Sequence, residues 1–402
     1  MRYTIIGSAL SGNKGAAAML ESAVQQIGRR DPSARFVLLS MYPRSDAAQN
    51  PYPSMSVLDA SPLRLGLLLN PAAVLHRLLP PLRRRIEAAV PEIRALATAD
   101  VLLDQGGITF VDGRGKFLIY NVASILPAVI MGTPVMKCAQ ALGPFRSVLN
   151  RAAARALLPR MAAIVSRGAV THEHLERLGL RNVHRGADLA FTLEITPKDE
   201  AVADLPFFDG GDVVGFAPSV VLRRAADAAG EDYVGQVAAM IDHVTQVLGR
   251  PALLLAHSAR AHTTKTHNND LPLCREIYAR LAAPEKVHFP DAELGSQELR
   301  ALIGRCDVFV ASRFHAMVSS LAMGVPTLVL GWSHKYREVL DMFGLAEWAV
   351  PHEDVTIDLF VRRLDDLLAA RADLRATIAE ALPGVTGTAL EQVELIAEVA
   401  RR

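Results

Sequence analysis

The residues of this 402-residue chain best suited to chemistry stand in "SRFH", Ser312 to His315, and again at Lys335. An apolar, strand-like run, Asp307–Ala311, leads into the first group. A helical pattern follows, and the next strand-like run, Pro326–Leu330, leads into Gly331-Trp332-Ser333-His334-Lys335. Arginine grips a carboxylate or phosphate bidentately, lysine supplies a point charge, and histidine exchanges a proton near neutral pH. Neighbouring parallel strands bring Arg313, His315 and Lys335 to one sheet edge. The set reads as a site for an anionic substrate with a proton donor beside it. His315 alone would be read as an ordinary histidine at a helix start; the two cations shift that balance.

Four further positions follow strand-like runs. "DVLLDQGG" ends in Gly106-Gly107, where the backbone can approach a ligand closely, though a plain tight turn needs the same residues. "VMKCAQALGPF" places Gln140 at a strand end. In "AAIVSRGAVTHEHLERLGL", Arg167 lies between a strand and a helix start, a position suited to an anion and equally to a surface ion pair. His257 ends the strand-like "PALLLAHS". His262 and His267 follow in a polar loop, but their spacing is poor for a metal, and no metal site is expected.

The amino-terminal "GSALSGNKGAAAML" has the strand, glycine loop and helix grammar of a phosphate cradle. It fails as a P-loop, because Asn13-Lys14-Gly15 puts no hydroxyl where magnesium needs one. It fails as a dinucleotide loop, because Ala9 replaces the second glycine. A cleft-lining or purely structural loop is the remaining reading, with Asn13 as its polar group and Lys14 as a solvated charge.

These loops need strands to present them. Expected strands are Tyr3–Ile6, Arg35–Ser40, Asp100–Asp104, Pro134–Ala139, Ala162–Ser166, Asp212–Phe216, Ala252–Ala256, Lys286–Phe289, Asp307–Ala311 and Pro326–Leu330. Helical patterns separate them at Leu149–Leu158, Thr171–Leu178, Tyr233–Leu248, Gln297–Ile303 and His315–Met323. Alternation of this kind means an α/β chain with parallel sheets. The Pro-, Gly- and acid-rich stretch Leu193–Gly211 is the best boundary. The expected architecture is two Rossmann-like domains facing across a cleft, residues 1–200 and 211–385. A C-terminal helix, 386–402, is expected after a break at Pro383-Gly384.

Forty-three basic and 42 acidic residues nearly cancel, which argues against nucleic acid as a partner. The three cysteines are far apart and read as buried free thiols of a reducing compartment. The sequence starts without a secretory pattern, and no apolar run is long enough to span a membrane. "LRLGLLLNPAAVLHRLLPPLRRR", Leu63–Arg85, reads as a surface helical hairpin with a basic end. Its sharper reading is a peripheral contact with an anionic membrane surface.

Taken in order, these motifs resemble the polysaccharide pyruvyl transferase family. The resemblance runs through "GNKGAAAML", "DVLLDQGG", "AQALGPF", "VSRGAVTHEHLERLGL", Asp188 of "GADLAF", His257 and "SRFHAMVSSLAMGVPTLVL" with Lys335 beyond it. It implies a GT-B-like enzyme that moves pyruvate from phosphoenolpyruvate onto two sugar hydroxyls as a ketal. The acceptor would be a glycan or lipid-linked sugar, no resident cofactor would be needed, and the place would be the cytoplasm at the inner face of the membrane. Arg313 and His315 match the family's Arg-x-His, Lys335 its downstream lysine and Arg167 its arginine. His315 is then the general acid, Arg313 and Arg167 hold the anionic groups, and Lys335 offsets charge on the departing phosphate. Asn13, Gly106, Gly107, Gln140 and His257 line the substrate. Ala16 and Gly168 stand where family members usually carry acidic residues. A nucleotide-sugar glycosyltransferase and a non-catalytic binding protein are the competing readings.

Overall fold

The computed structural model describes every residue except 114, 261–267 and 332–333 and the side chains of Lys116 and His334. His262 and His267, and the Trp332-Ser333 step before Lys335, therefore lie outside the described residues. Contacts divide the chain into two units. One comprises Met1–Ser11, Met19–Thr192 and Thr386–Arg402, and the other Gly12–Ala18 and Leu193–Val385.

The first unit is built on a parallel sheet of β1 (Arg2–Ile6), β3 (Arg35–Ser40), β4 (Met55–Asp59), β5 (Val101–Asp104), β6 (Val135–Gln140), β7 (Ala163–Ser166) and β8 (Val183–Arg185), with β2 being Gly12–Asn13 of the other unit. Its strand order is β4-β3-β1-β5-β6-β7-β8. Successive residues point to opposite faces, so Ile5, Leu38, Leu103 and Val165 fill one core layer and Ile6, Leu39, Leu102 and Ile164 the other. Burial on both faces is why these strands are continuous apolar runs.

The second unit repeats the plan with β9 (Val214–Ala217), β10 (Ala252–Leu254), β12 (Val287–His288), β13 (Val308–Ala311), β14 (Thr327–Gly331) and β15 (Ala349–Pro351). Their order is β12-β10-β9-β13-β14-β15, again parallel. A short antiparallel pair joins β2 to β11 (Ser258–Ala259), with Asn13 opposite Ser258. All ten strands read from the sequence are present. The others were silent for physical reasons: β4, β8 and β15 are partly exposed edge strands without an apolar run, and β2 and β11 have two residues each.

Two features depart from the sequence reading. Gly12–Ala18 belongs to the second unit, although it opens the chain, because β2 pairs with β11 there. The carboxyl end is one helix, Ile357–Arg401, running through Pro383 without a break. A mid-helix proline costs ~3 kcal/mol, but buried residues lie on both sides of it, from Phe360, Leu364 and Leu367 to Val393, Ile396 and Val399. Packing along the helix outweighs that local cost. Cys138, Cys274 and Cys306 are buried free thiols, and burial pushes each thiol pKa up.

Candidate active site

In a doubly wound sheet, ligands collect where strand order reverses, beyond the carboxyl ends of the two strands flanking the switch. In the second unit that point lies between β9 and β13. Arg313 directly follows β13, Ser219 and Val220 follow β9, and His257 and Ser258 follow β10 on its other side.

Arg313 is already engaged there. Its Nε donates to Asp270 Oδ2 at 2.8 Å, its Nη2 to Asp270 Oδ1, and its Nη1 to Asn268 Oδ1 at 2.9 Å. Asp270 is fully buried and also accepts from the backbone N–H groups of Val220 and Ser258, each at 3.0 Å. One carboxylate thus ties together the turns after β9, β10 and β13. Burial opposes ionisation of Arg313, but the charge and hydrogen bonding of Asp270, with the fields of Tyr336 and Tyr233, together outweigh it and raise the guanidinium pKa. The sequence reading did not single out Asp270. Its only local signal is an aspartate immediately before the Leu-Pro start of helix Leu271–Tyr278.

His315 occupies the first turn of helix Phe314–Ala322, half-buried, with its ring edge-on to Phe314 at 5.0 Å between centroids. The amino-terminal loop also lies against it. An ideal Cβ built on Gly15 would stand 2.0 Å from His315 Nδ1, so only glycine fits beneath the imidazole. Lys335 Nζ lies 5.0 Å from the Phe314 ring centroid and 5.4 Å from that of Tyr336, a cation–π arrangement. Tyr336 Oη, in the helix His334–Asp341, donates to Ser312 O in the turn after β13 at 3.1 Å. His257 is buried, and burial first, then the positive fields of His315 and Arg313, push its pKa from 6.5 to about 3. It is neutral at any physiological pH and suited to hydrogen bonding rather than to donating a proton.

Asn13 is exposed, and its Oδ1 accepts from Gly15 N at 3.2 Å, fixing the turn that lies on His315. Lys14 is not a solvated charge. It is buried, and its Nζ pairs with Glu293 Oε1 at 3.0 Å.

The remaining predicted residues lie in the first unit, near its own strand-order reversal between β1 and β5. Gly7, at φ 81°, would put a Cβ 2.6 Å from Gly106 N, so the turns after β1 and β5 touch backbone to backbone. Gly106 N donates to Asp104 Oδ1 at 2.9 Å, and Gly107 lies beside the Arg167 guanidinium. Arg167 is buried, its Nη1 paired with Asp188 Oδ2 at 2.8 Å and its backbone N–H donating to Gln140 O at 3.1 Å. The surface ion pair weighed for Arg167 is thus a buried one. Gln140 is fully buried and braces the network. Its Oε1 accepts from Thr109 Oγ1 at 2.6 Å and from Lys137 Nζ at 3.3 Å, and its Nε2 donates to Asp104 O at 2.5 Å. Lys137, buried and paired with Asp104, was hidden within an apolar strand and carried no sequence signal of its own.

Two parallel α/β units with polar constellations at their switch points define a GT-B-like α/β protein. The same fold is found in UDP-GlcNAc 2-epimerase from Neisseria meningitidis bound to UDP-GlcNAc, at TM-score 0.65 and 11% identity over 99% of this chain and 100% of that one. It recurs in Anabaena Alr3699/HepE in complex with UDP and glucose, at TM-score 0.53 and 14% identity over 100% of this chain and 98% of that one. The family model for polysaccharide pyruvyl transferases matches residues 13–334, well over half of the sequence, and the chain belongs to that family. It is also 21% identical to the amylovoran biosynthesis protein AmsJ of Erwinia amylovora, over 95% of each chain. The matched region includes Asn13, Gly15, Arg167, His257, Arg313 and His315, with Lys335 one residue beyond it.

Proposed function

We propose that the protein transfers the pyruvyl group of phosphoenolpyruvate to two hydroxyls of a sugar, in a glycan or its lipid-linked precursor, and forms a cyclic ketal. Family membership and the amylovoran relative place the chain in polysaccharide biosynthesis. Support for the finer reading comes from the second unit, above all the imidazole of His315 held on Gly15, with Lys335 over the Phe314 ring that His315 packs against and Arg313 two residues before it.

In this reading His315 gives a proton to the methylene carbon of phosphoenolpyruvate, and the first sugar hydroxyl bonds to the adjacent carbon. The carbon–oxygen bond to phosphate then breaks, its electron pair leaving with the phosphate, and the second hydroxyl closes the ketal. Of the two hydroxyl protons released, one balances that taken up by carbon and the other leaves with phosphate. Lys335 offsets charge on the leaving group. Arg313 contributes its field and holds the site together through Asp270. Arg167, paired with Asp188, sustains the corresponding turn of the first unit.

The test is phosphate release from phosphoenolpyruvate with a sugar acceptor. His315→Gln should lose about 10²–10⁴-fold in kcat, the usual worth of general acid catalysis, with an unchanged thermal melt. Near-wild-type turnover would overturn the assignment. Thermal-shift titration separates the competing glycosyltransferase: stabilisation by UDP-sugars and none by phosphoenolpyruvate would favour it.

A further inference from the structure

The hairpin at residues 62–89 is the feature that the proposed chemistry leaves unused. Its first arm is helical from Pro62 to Leu78, its second from Pro80 to Ala89, and the arms bend by 120°. No single helix among the described residues is long and apolar enough to cross a membrane. The first arm buries Leu65, Leu69, Ala72 and Ala73 in a core layer of the first unit. Its opposite side is also apolar, and it faces outward. Leu63, Leu67, Leu75 and Leu78 are exposed at steps compatible with one helical stripe, Leu67 to 78%. Leu79 and Leu82 continue the exposed apolar surface around the bend. Helix Gly115–Met131 packs alongside, with Asn70 Nδ2 donating to Ala123 O at 3.1 Å, and one turn from that contact it exposes Ile119.

The charges of the hairpin are sorted. Its one acid, Glu87, meets His76 at 2.7 Å, and Glu92 of the following helix meets Arg64 at 2.6 Å. Arg83 Nε donates to His76 O at 3.0 Å and holds the second arm against the first. Arg77, Arg84 and Arg85 are left exposed beside the leucines. A leucine ridge flanked by uncompensated arginines matches the interfacial zone of a bilayer with anionic headgroups, where apolar side chains enter the acyl boundary and cations meet phosphates. A protein partner would need an acidic, apolar face of its own, whereas an anionic lipid surface offers both properties at once.

We infer that residues 62–89 dock the protein peripherally on an anionic lipid bilayer. This inference is independent of the donor and of the chemistry at His315. The experiment is co-sedimentation of the full-length protein with vesicles of equal parts phosphatidylglycerol and phosphatidylcholine, compared with phosphatidylcholine alone. Binding is expected on the anionic vesicles, weakening as salt rises. Arg84→Gln/Arg85→Gln should reduce partitioning about 10- to 30-fold, on the scale expected for two basic residues at an anionic surface. Leu67→Gln/Leu78→Gln should reduce it at least as far, and both pairs are exposed, so circular dichroism and thermal melts should match the wild type. Equal binding to both vesicle types, no binding to anionic vesicles, or partitioning unmoved by both double variants would overturn the inference. So would sedimentation showing, without vesicles, a dimer that Leu67→Gln/Leu78→Gln dissolves.

Discussion

The imidazole of His315 rests on the α-carbon of Gly15, with no room for a side chain between them: an ideal Cβ there would lie 2.0 Å from Nδ1. A loop from the start of the chain thereby fixes the orientation of a histidine far along the sequence. Gly15→Ala should force the ring to turn or the loop to lift. Turnover is expected to fall by about 100-fold or more, the lower end of what a positioned proton donor supplies. Steady-state phosphate release and a thermal melt check this together, and full activity in Gly15→Ala would mean that the contact does not position His315.

Asp270, fully buried, and the partly buried Arg313 form a two-pronged pair, and the carboxylate also collects the N–H groups of Val220 and Ser258. Removing one partner strands the other charge. Asp270→Asn or Arg313→Met should each destabilise the fold by about 3–5 kcal/mol. The double variant should be less destabilised than the sum, because the cycle isolates their coupling. Chemical denaturation of the four proteins measures it.

The depressed pKa of His257 fixes the sign of a pH effect. Between pH 6.5 and about 3 the unfolded histidine holds a proton that the native one refuses, so stability falls as the pH drops through that window. Above 6.5 the residue contributes no slope. The limiting slope is ~1.4 kcal/mol per pH unit, and His257→Gln should flatten the denaturation midpoint in that range. An identical pH profile in the variant would exclude a buried neutral His257.

In the first unit, Asp104 accepts from Lys137 and from Gly106 N, and so anchors the turn bearing Gly106 and Gly107. Asp104→Ala leaves a buried ammonium uncompensated and frees that turn. A loss of about 3–5 kcal/mol is expected, together with faster amide exchange at Gly106, readable by hydrogen exchange.

Periodicity and strand-end chemistry were enough to read the parallel α/β class, ten of the strands, the place of Arg313 and His315 just past a strand end and the helical hairpin at 63–85. Those features depend on local patterns, because a strand buried on both faces must be apolar along its length and residues just past its end must be polar. The sequence could not show which charges neutralise one another. Asp270 finds Arg313, Lys14 finds Glu293, and Lys137 finds Asp104 only after distant segments meet. Nor could it show that the glycine loop after β1 belongs to the second unit, since the β2–β11 pair that puts it there has two residues on each side. Local sequence determined which side chains stand at strand ends. Tertiary pairing decided which of them are spent on the fold, because burying a charge demands a partner wherever in the chain that partner lies.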